Sequence, residues 1–208
     1  MKRLRGAAWR TSAVFILALA VLRVQPVVSA RQGDSVAPPA AAYGSALPRI
    51  PAPDFTLTGL SGRPLGLTDT RGHVVLLTFI DLRSATAVDT ARLLRTFSEE
   101  IGPPARQVWI LAVNTDPAAT PAQLAAWTAA RDMTGRWRWL TGRAAALQLV
   151  WTDYHIGSEL DGAQLVHASA TYILDPHGRE RWVLSTAAAS GLAAEAHALA
   201  AAVLALGG

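Results

Sequence analysis

The apolar run from Val74 to Ile80, interrupted only by Thr78, is the feature that most limits how this chain can fold. Unbroken apolar runs rich in β-branched residues are typical of strands covered on both faces of a sheet. The apolar residues that follow at spacings of three and four are Ala91, Leu94, Phe97 and Ile101. This period predicts a helix. A second apolar run from Val108 to Val113 follows, so the sequence predicts a strand–helix–strand crossover.

The later segments predict further helices and a hairpin around this unit. Thr120-Pro121 has the residue types that begin a helix, with threonine as N-cap and proline in the first turn. The turn Asp175-Pro176-His177-Gly178 separates strands predicted over 170–174 and 180–184, and an alanine-rich helix is predicted over 192–206. This order predicts an α/β protein with the thioredoxin-like three-layer fold, in which helices flank a central mixed β-sheet.

Residues 1–30 have the three parts of a secretory signal peptide. A basic start precedes an apolar run from Ala13 to Leu22, and the small residues Val28-Ser29-Ala30 offer a cleavage point. The apolar run is shorter than the about 20 residues that span a bilayer, which favours a cleaved signal peptide over an uncleaved N-terminal anchor. We therefore expect the protein outside the cytoplasm, in the periplasm or on the exterior of the cell envelope. Contact with a membrane is expected only through an uncleaved leader.

Composition divides the remaining chain into a linker and a domain. Residues 31–48 are rich in alanine and proline, which predicts a flexible linker, and residues 49–208 are predicted to form the folded domain. The chain has 19 basic and 15 acidic residues, and five of the basic residues lie in the leader, which has no acidic residue. Without the leader, 14 basic residues face 15 acidic ones, so no nucleic-acid partner is expected.

The chain contains no cysteine. Without a thiol it forms no disulfide and no thiolate, so disulfide exchange and the binding of soft metals through sulfur are excluded. A lipoprotein anchor is excluded for the same reason. We expect stability to come from packing, and we expect no enzymatic activity.

Several motifs together resemble one family. They are Pro53-Asp54-Phe55-Thr56-Leu57, Thr78-Phe79-Ile80 leading to Arg83, Asp116-Pro117 followed by Thr120-Pro121, Leu140-Thr141-Gly142, and His167 leading into Tyr172-Ile173-Leu174-Asp175. From about Pro53 to Leu184 the chain resembles the Sco (SenC-type) copper chaperones of cytochrome c oxidase assembly. The resemblance implies a thioredoxin-like fold and a protein partner, either an oxidase subunit or a copper-handling protein.

In that family, a C-x-x-x-C pair at a helix start and a distant histidine form the copper site. The resemblance places the two cysteines at Ser84 and Val88 and the histidine at His167. A serine oxygen is a poor ligand for copper and valine offers none. The resemblance therefore implies that no cofactor is expected, with copper at His167 as the alternative.

Three hypotheses for the function follow. The leading one is an exported, non-redox, Sco-like accessory factor that binds proteins in copper handling or cytochrome c oxidase assembly. The second is a copper-binding chaperone with a rebuilt, histidine-based site at His167. The third is a serine-dependent enzyme in which His167 activates Ser84 as a nucleophile. The competing interpretations are a helix N-cap for Ser84 and a structural role for His167.

Arg83, Trp137 and Arg138 are the candidates for a docking face. We expect Arg83 to lie near Ser84 and His167 on an accessible face. One ring of Trp137-Arg138-Trp139 is expected to point outward and extend that face, because neighbouring residues of a strand face opposite sides. The competing interpretation is a solvated basic rim over a packed core.

Overall fold

The computed structural model describes residues 44–102, 107–156, 158–161, 164–167, 170–185 and 191–207. The strands in these residues are β1 (Gly44–Ala46), β2 (Thr56–Gly59), β3 (Pro64–Gly66), β4 (Val74–Ile80), β5 (Val108–Asn114), β6 (Arg138–Thr141), β7 (Ser158–Asp161), β8 (Gln164–His167), β9 (Ala170–Leu174) and β10 (Glu180–Ser185). The α-helices are α1 (Ala85–Ile101), α2 (Pro121–Ala129), α3 (Ala144–Asp153) and α4 (Leu192–Leu204), and a short 3-10 helix spans Leu67–Thr70.

Eight strands form one mixed sheet in the order β1-β10-β9-β4-β5-β6-β2-β3. The strands β4, β5 and β6 are parallel neighbours, and the other neighbouring pairs are antiparallel. A separate antiparallel hairpin consists of β7 and β8. The mixed sheet and the parallel crossover through α1 confirm the fold predicted from the sequence.

The central strand β4 is buried along its whole length and contributes to both sides of the sheet. Val74, Leu76 and Ile80 pack in a core cluster with residues of α1, α2 and α4. The alternate residues Val75 and Leu77 pack in a second cluster with residues of α3. Burial of each such side chain contributes roughly 1.5–3 kcal/mol. The continuous apolar run therefore reflects a strand that has a helical layer on each face.

Two of the helices begin or end as the local sequence predicts. Thr120 is the N-cap of α2: its hydroxyl accepts from the Gln123 N–H, and the Gln123 side chain accepts from the Thr120 N–H at 2.8 Å. This reciprocal pair satisfies two N–H groups that the first turn leaves open. At the other end of a helix, Gly102 terminates α1 with a φ of 62°, a conformation that favours glycine.

The described domain begins earlier than residue 49. Residues Gly44–Ala46, which lie inside the predicted linker, form β1 and pair with Trp182–Leu184 of β10. A Cβ at position 44 would lie 2.6 Å from the carbonyl oxygen of Val183, so only glycine fits this edge pairing. Gly44 therefore serves a close backbone approach here rather than flexibility. The predicted signal peptide, residues 1–30, and residues 31–43 lie outside the described residues.

The hairpin of β7 and β8 is an addition that the sequence analysis did not predict. In its register, Ser158 pairs with His167 and Asp161 pairs with Gln164. The dipeptide Asp161-Gly162 is a hairpin signal in the sequence.

None of the helices in the described part of the chain has the length and apolar character that a membrane span requires.

Candidate functional site

The candidate site lies where β4 ends and α1 begins, a segment that we call the junction (residues 81–88). Because β4 and β5 are parallel and Ile80 is paired with Asn114, the residues after both strands meet at one edge of the sheet. The N–H of Thr115 donates to the carbonyl oxygen of Ile80 at 3.0 Å, which joins the two strand ends. Side chains at the carboxyl ends of neighbouring parallel strands are positioned to act together.

Arg83 is held at the junction by two carboxylates. Its Nε and Nη2 donate to the two oxygens of Asp81 at 3.1 and 3.0 Å, and its backbone N–H donates to Asp81 Oδ1 at 2.9 Å. The same Nε lies 3.5 Å from Asp116 Oδ2. The Asp81 side chain is only 4% exposed, whereas that of Arg83 is 64% exposed. The buried carboxylate of Asp81 therefore fixes the orientation of the exposed guanidinium of Arg83.

The charges of this cluster raise the pKa of Arg83 above its ordinary value. The hydrogen bond with Asp81 is the largest cause, followed by the negative charges of Asp81 and Asp116. Arg83 is therefore a permanent cation at this position. A bidentate arginine–carboxylate pair also fixes direction as well as distance.

Ser84 is the N-cap residue of α1, but its hydroxyl makes no capping hydrogen bond. Its Oγ instead lies 2.6 Å from the hydroxyl oxygen of Thr86. The backbone holds the position, because the Ser84 N–H donates to the Asp81 carbonyl oxygen at 3.0 Å. Among the residues that the structure describes, no base contacts this hydroxyl. The prediction of an N-cap is therefore correct for the backbone, and the nucleophile hypothesis gains no support from the described contacts.

Val88 lies one helical turn beyond Ser84, in α1, and is partly buried. Its side chain carries no lone pair, and the neutral hydroxyl of Ser84 is a hard oxygen. Cu(I) prefers soft sulfur ligands. The pair at positions 84 and 88 therefore does not fit copper, and no copper-transfer step can be derived through it.

His167 is the last residue of β8. The strand β9 begins three residues later and is antiparallel to β4, with Thr171 opposite Thr78. The amino end of β9 therefore lies at the edge of the sheet where the junction lies. Within the described ranges, no group of three or more metal-ligating side chains is placed to hold an ion. Metal binding by His167 stays a prediction.

The prediction that a tryptophan ring of the segment 137–139 points outward is wrong. Trp137 is 7% exposed, stacked on Trp127 at a centroid distance of 5.8 Å, and 5.2 Å from Trp139. Residues two apart in an extended chain face the same side, so both rings enter the core beneath α2. Only the intervening Arg138 is exposed, and its guanidinium lies 3.8 Å over the Trp109 ring.

Arg83 and Arg138 do not share a face at one end of the sheet. Arg138 is paired with Leu111, which is paired with Leu77 of β4. Leu77 lies three residues, about 10 Å, before the end of that strand, and Arg83 lies beyond the end. The docking face predicted from Arg83, Trp137 and Arg138 therefore does not form as one surface, and only Arg83 remains at the junction.

The pairing of Arg83 with Asp81 and Asp116 was not predicted from the sequence. The signal was present: Asp81 directly follows β4, and Asp116 follows β5 after one intervening residue, Thr115. In parallel strands such positions meet. The pairing became visible only once the register of Ile80 with Asn114 was known.

Comparison with known proteins gives the family and the fold of this chain. The sequence model of the SCO1/SenC family matches residues 46–201. No curated protein sequence matches the chain. Similar solved structures include apo Sco1 from Thermus thermophilus, with 22% identity and a TM-score of 0.64 over 79% of this chain and 96% of that one.

Two further solved structures have the same fold. BsSco, a member of the Sco family of cytochrome c oxidase assembly proteins, is 19% identical with a TM-score of 0.62, covering 78% of this chain and 96% of its own. Copper-bound ScoI from Bradyrhizobium japonicum is 19% identical with a TM-score of 0.53, covering 71% of this chain and 98% of its own. At these identities the structures establish the thioredoxin-like fold. The match of the family model over most of the chain shows that this protein belongs to the SCO1/SenC family.

Proposed function

We propose that this protein is an exported, non-redox accessory factor that acts by binding proteins in copper handling or cytochrome c oxidase assembly. Family membership supports the pathway, because the similar structures include a protein of cytochrome c oxidase assembly and one that holds copper. The observation that carries the proposal is the junction itself. Where the family resemblance places two thiols, this chain has Ser84 and Val88 beside an arginine fixed by two carboxylates.

The absence of cysteine supports the non-redox part of the proposal. Disulfide exchange requires a thiolate as the attacking group, and this chain has none. The hydroxyl of Ser84 and the alkyl group of Val88 have no corresponding redox chemistry. What the junction offers is one fixed guanidinium, whose charge the carboxylates of Asp81 and Asp116 offset in part.

Arg83 is suited to a protein contact because its orientation is set before a partner arrives. Asp81 uses the Nε–H and one N–H of Nη2, so three of the five guanidinium N–H groups have no part in that pair. These can donate to a carboxylate or a main-chain carbonyl of a partner. Since little side-chain freedom is lost on binding, more of the interaction energy contributes to affinity.

The proposed location outside the cytoplasm rests on the leader. Its basic start, short apolar run and small residues at 28–30 are the features of a secretory signal peptide. Intact-mass analysis of the protein from its own host tests this proposal. A mature chain that begins near Arg31 is expected, and retention of residues 1–30 on a membrane-bound protein would contradict cleavage.

The function is tested by deleting the gene in its host and measuring cytochrome c oxidase activity under copper limitation. We expect the deletion to lower this activity, and we expect the unmodified gene or Arg92→Gln to restore it. Arg92 is a matched control because it is an exposed arginine of α1 that pairs with one carboxylate, Asp89, at 3.6 Å. Arg83→Gln is expected to restore less activity while the protein level stays normal. Unchanged oxidase activity in the deletion strain would refute the proposal.

Copper binding by a rebuilt site is the second candidate function. It is favoured by one observation, that the chain carrying His167 enters β9 at the sheet edge where the junction lies. A copper titration of the protein, described below, distinguishes this candidate from the first.

A further inference from the structure

A cavity of about 560 Å³ lies between the β2–β3 hairpin and the region beneath α2, away from the junction. Leu60 and Leu65 line its hairpin side, and Trp137 and Trp139 line its other side. Its volume falls within the range of about 300–1,000 Å³ that is typical of sites for small molecules. The walls are mainly apolar, so the few polar groups that reach the cavity determine what it can select.

The first of these polar groups is the hydroxyl of Thr128, a residue of α2 that is 8% exposed and lines the cavity. Its oxygen accepts from the indole N–H of Trp137 at 3.2 Å and from that of Trp139 at 2.6 Å. A hydroxyl oxygen has two lone pairs, so both are used.

The hydroxyl proton of Thr128 has no hydrogen-bond acceptor among the described residues. Other helix hydroxyls, those of Thr90, Ser98 and Thr152, donate to the carbonyl oxygen four residues before them. Within the described part of the chain, the Thr128 proton finds no such acceptor. A buried donor without an acceptor is unfavourable, and an oxygen atom that enters the cavity would supply the missing acceptor.

The second polar feature is positive charge at the wall. Arg63, in the turn of the β2–β3 hairpin, is exposed and forms no ion pair with any described residue. Arg138 also borders the cavity, but its guanidinium lies over the Trp109 ring on the other side of the strand from Trp137 and Trp139. None of the described residues that line the cavity is acidic. The cavity therefore combines aromatic walls, one buried O–H donor and the uncompensated cation of Arg63.

We propose that this cavity binds a small organic acid with an aromatic or aliphatic body and a carboxylate. The apolar body packs against Trp137 and Trp139. An oxygen of the acid accepts the proton of Thr128, and Arg63 favours the negative charge. The donor lies at a nine-tenths buried position, which a small molecule reaches and a folded protein surface does not.

The test uses phenylacetate and its neutral counterpart phenylacetamide as probes, added to the ¹⁵N-labelled full chain. We expect phenylacetate to shift the indole N–H resonances of Trp137 and Trp139 saturably, because these groups share the oxygen of Thr128. Phenylacetamide keeps the carbonyl acceptor and loses the charge, so it is expected to bind about tenfold more weakly. The same resonances thus report both location and charge selectivity.

Two arginine variants isolate the charge contribution. Arg63→Gln is expected to weaken phenylacetate severalfold, whereas Arg143→Gln is expected to leave it unchanged. Arg143 is a matched control because it is exposed and lies outside the cavity. Thr128→Ser keeps the hydroxyl and is expected to retain binding, while Thr128→Val is expected to lose it.

If Thr128→Val does not fold, the comparison of Arg63→Gln with Arg143→Gln still decides the question. Equal affinity for the acid and the amide would overturn the proposal, as would saturable shifts confined to Trp109. The absence of saturable shifts in the indole resonances of Trp137 and Trp139 would overturn it as well. Each of these results leaves the function proposed for the junction unaffected.

Discussion

The junction after β4 and the tryptophan cluster beneath α2 (Trp127, Trp137 and Trp139) are each organised by one polar side chain, in opposite ways. At the junction, the exposed Arg83 donates to a buried carboxylate. In the tryptophan cluster, the buried Thr128 accepts from two indole N–H groups. The first arrangement leaves an exposed guanidinium at the surface, while the second packs two indole rings around one buried hydroxyl. The difference agrees with the proposal that the junction is a contact surface.

The two regions also differ in how far their side chains depend on one another. At the junction, Ser84 and Val88 lie one helical turn apart at the start of α1, at the positions where the family resemblance places a ligand pair. In the tryptophan cluster, each ring contacts another ring, so no single side chain can be exchanged without disturbing its neighbours.

The largest expected effect is the recovery of copper binding at the junction. We expect Ser84→Cys combined with Val88→Cys to raise the affinity for Cu(I) by several orders of magnitude, because two soft thiolates replace a hydroxyl and an alkyl group. The measurement is competition against a Cu(I) chelator under reducing conditions. The unmodified protein is the control and is expected to bind no Cu(I) tightly.

Two outcomes would contradict this prediction of copper binding. Tight stoichiometric binding by the unmodified protein would support the rebuilt-site hypothesis, and its loss in His167→Ala would assign the site. Failure of the double-cysteine variant to bind would show that the junction backbone has lost the geometry of a ligand pair.

The second prediction concerns the tryptophan cluster. Thr128→Val is expected to destabilise the domain by about 2–4 kcal/mol, because it leaves the indole N–H groups of Trp137 and Trp139 without an acceptor. Thr128→Ser keeps the oxygen and is expected to cost less than about 1 kcal/mol. Chemical denaturation measures both free energies of unfolding. Equal losses in the two variants would show that the methyl group, and not the hydroxyl oxygen, is what stabilises the cluster.

The third prediction concerns Arg83. We expect Arg83→Ala to destabilise the domain by about 1 kcal/mol, because it removes the described ion pair from the buried Asp81 although most of the arginine itself is exposed. Arg92→Ala, which breaks an exposed pair, is expected to have almost no effect. The free energies of unfolding at low and high salt provide the comparison. A loss in Arg83→Ala larger than that in Thr128→Val would reverse the contrast between a contact surface and a packed cluster.

Much of the scaffold was predictable because local rules agreed with the tertiary structure. The run Val74–Ile80 is a strand with those limits, and Thr120 caps α2 as its residue type predicts. The strand β1 was not predictable in this way, because Gly44-Ser45-Ala46 has the composition of a linker and gains its structure from pairing with β10. Its glycine is required by the approach of a neighbouring backbone, which the sequence does not show.

The site was less predictable than the scaffold because it depends on register. The resemblance supplied the candidate positions 84 and 88, and the structure places them at the start of α1. The pairing of Arg83 with Asp116 depends on two strands whose last residues, Ile80 and Asn114, are 34 positions apart in the sequence and side by side in the sheet. For Trp137, the pattern itself was available, because residues 137 and 139 lie two apart and therefore face the same side. The error came from treating the segment as if one of its two rings had to face outward.

The smallest expected effect concerns Glu180, a buried acidic residue at the start of β10. Burial raises its pKa above the ordinary value of 4.5, and the nearby His155 opposes this shift. Among the described residues, none donates a hydrogen bond to its carboxylate, so it has neither the ion pair of Asp81 nor the satisfied oxygen of Thr128. Because the pKa is higher in the folded state, the unfolded chain releases the proton first. Stability therefore falls as the pH rises from the unfolded pKa through the raised folded pKa.

Glu180→Gln is accordingly expected to stabilise the domain at pH 7 by less than about 1 kcal/mol and to change nothing near pH 4. The measurement is the free energy of unfolding as a function of pH, with the low-pH value of the same variant as its control. A gain of the same size at both pH values would show that shape rather than ionisation is responsible. A loss at pH 7 would show that the carboxylate is stabilised in the folded state, which would place Glu180 with the paired acids of the junction.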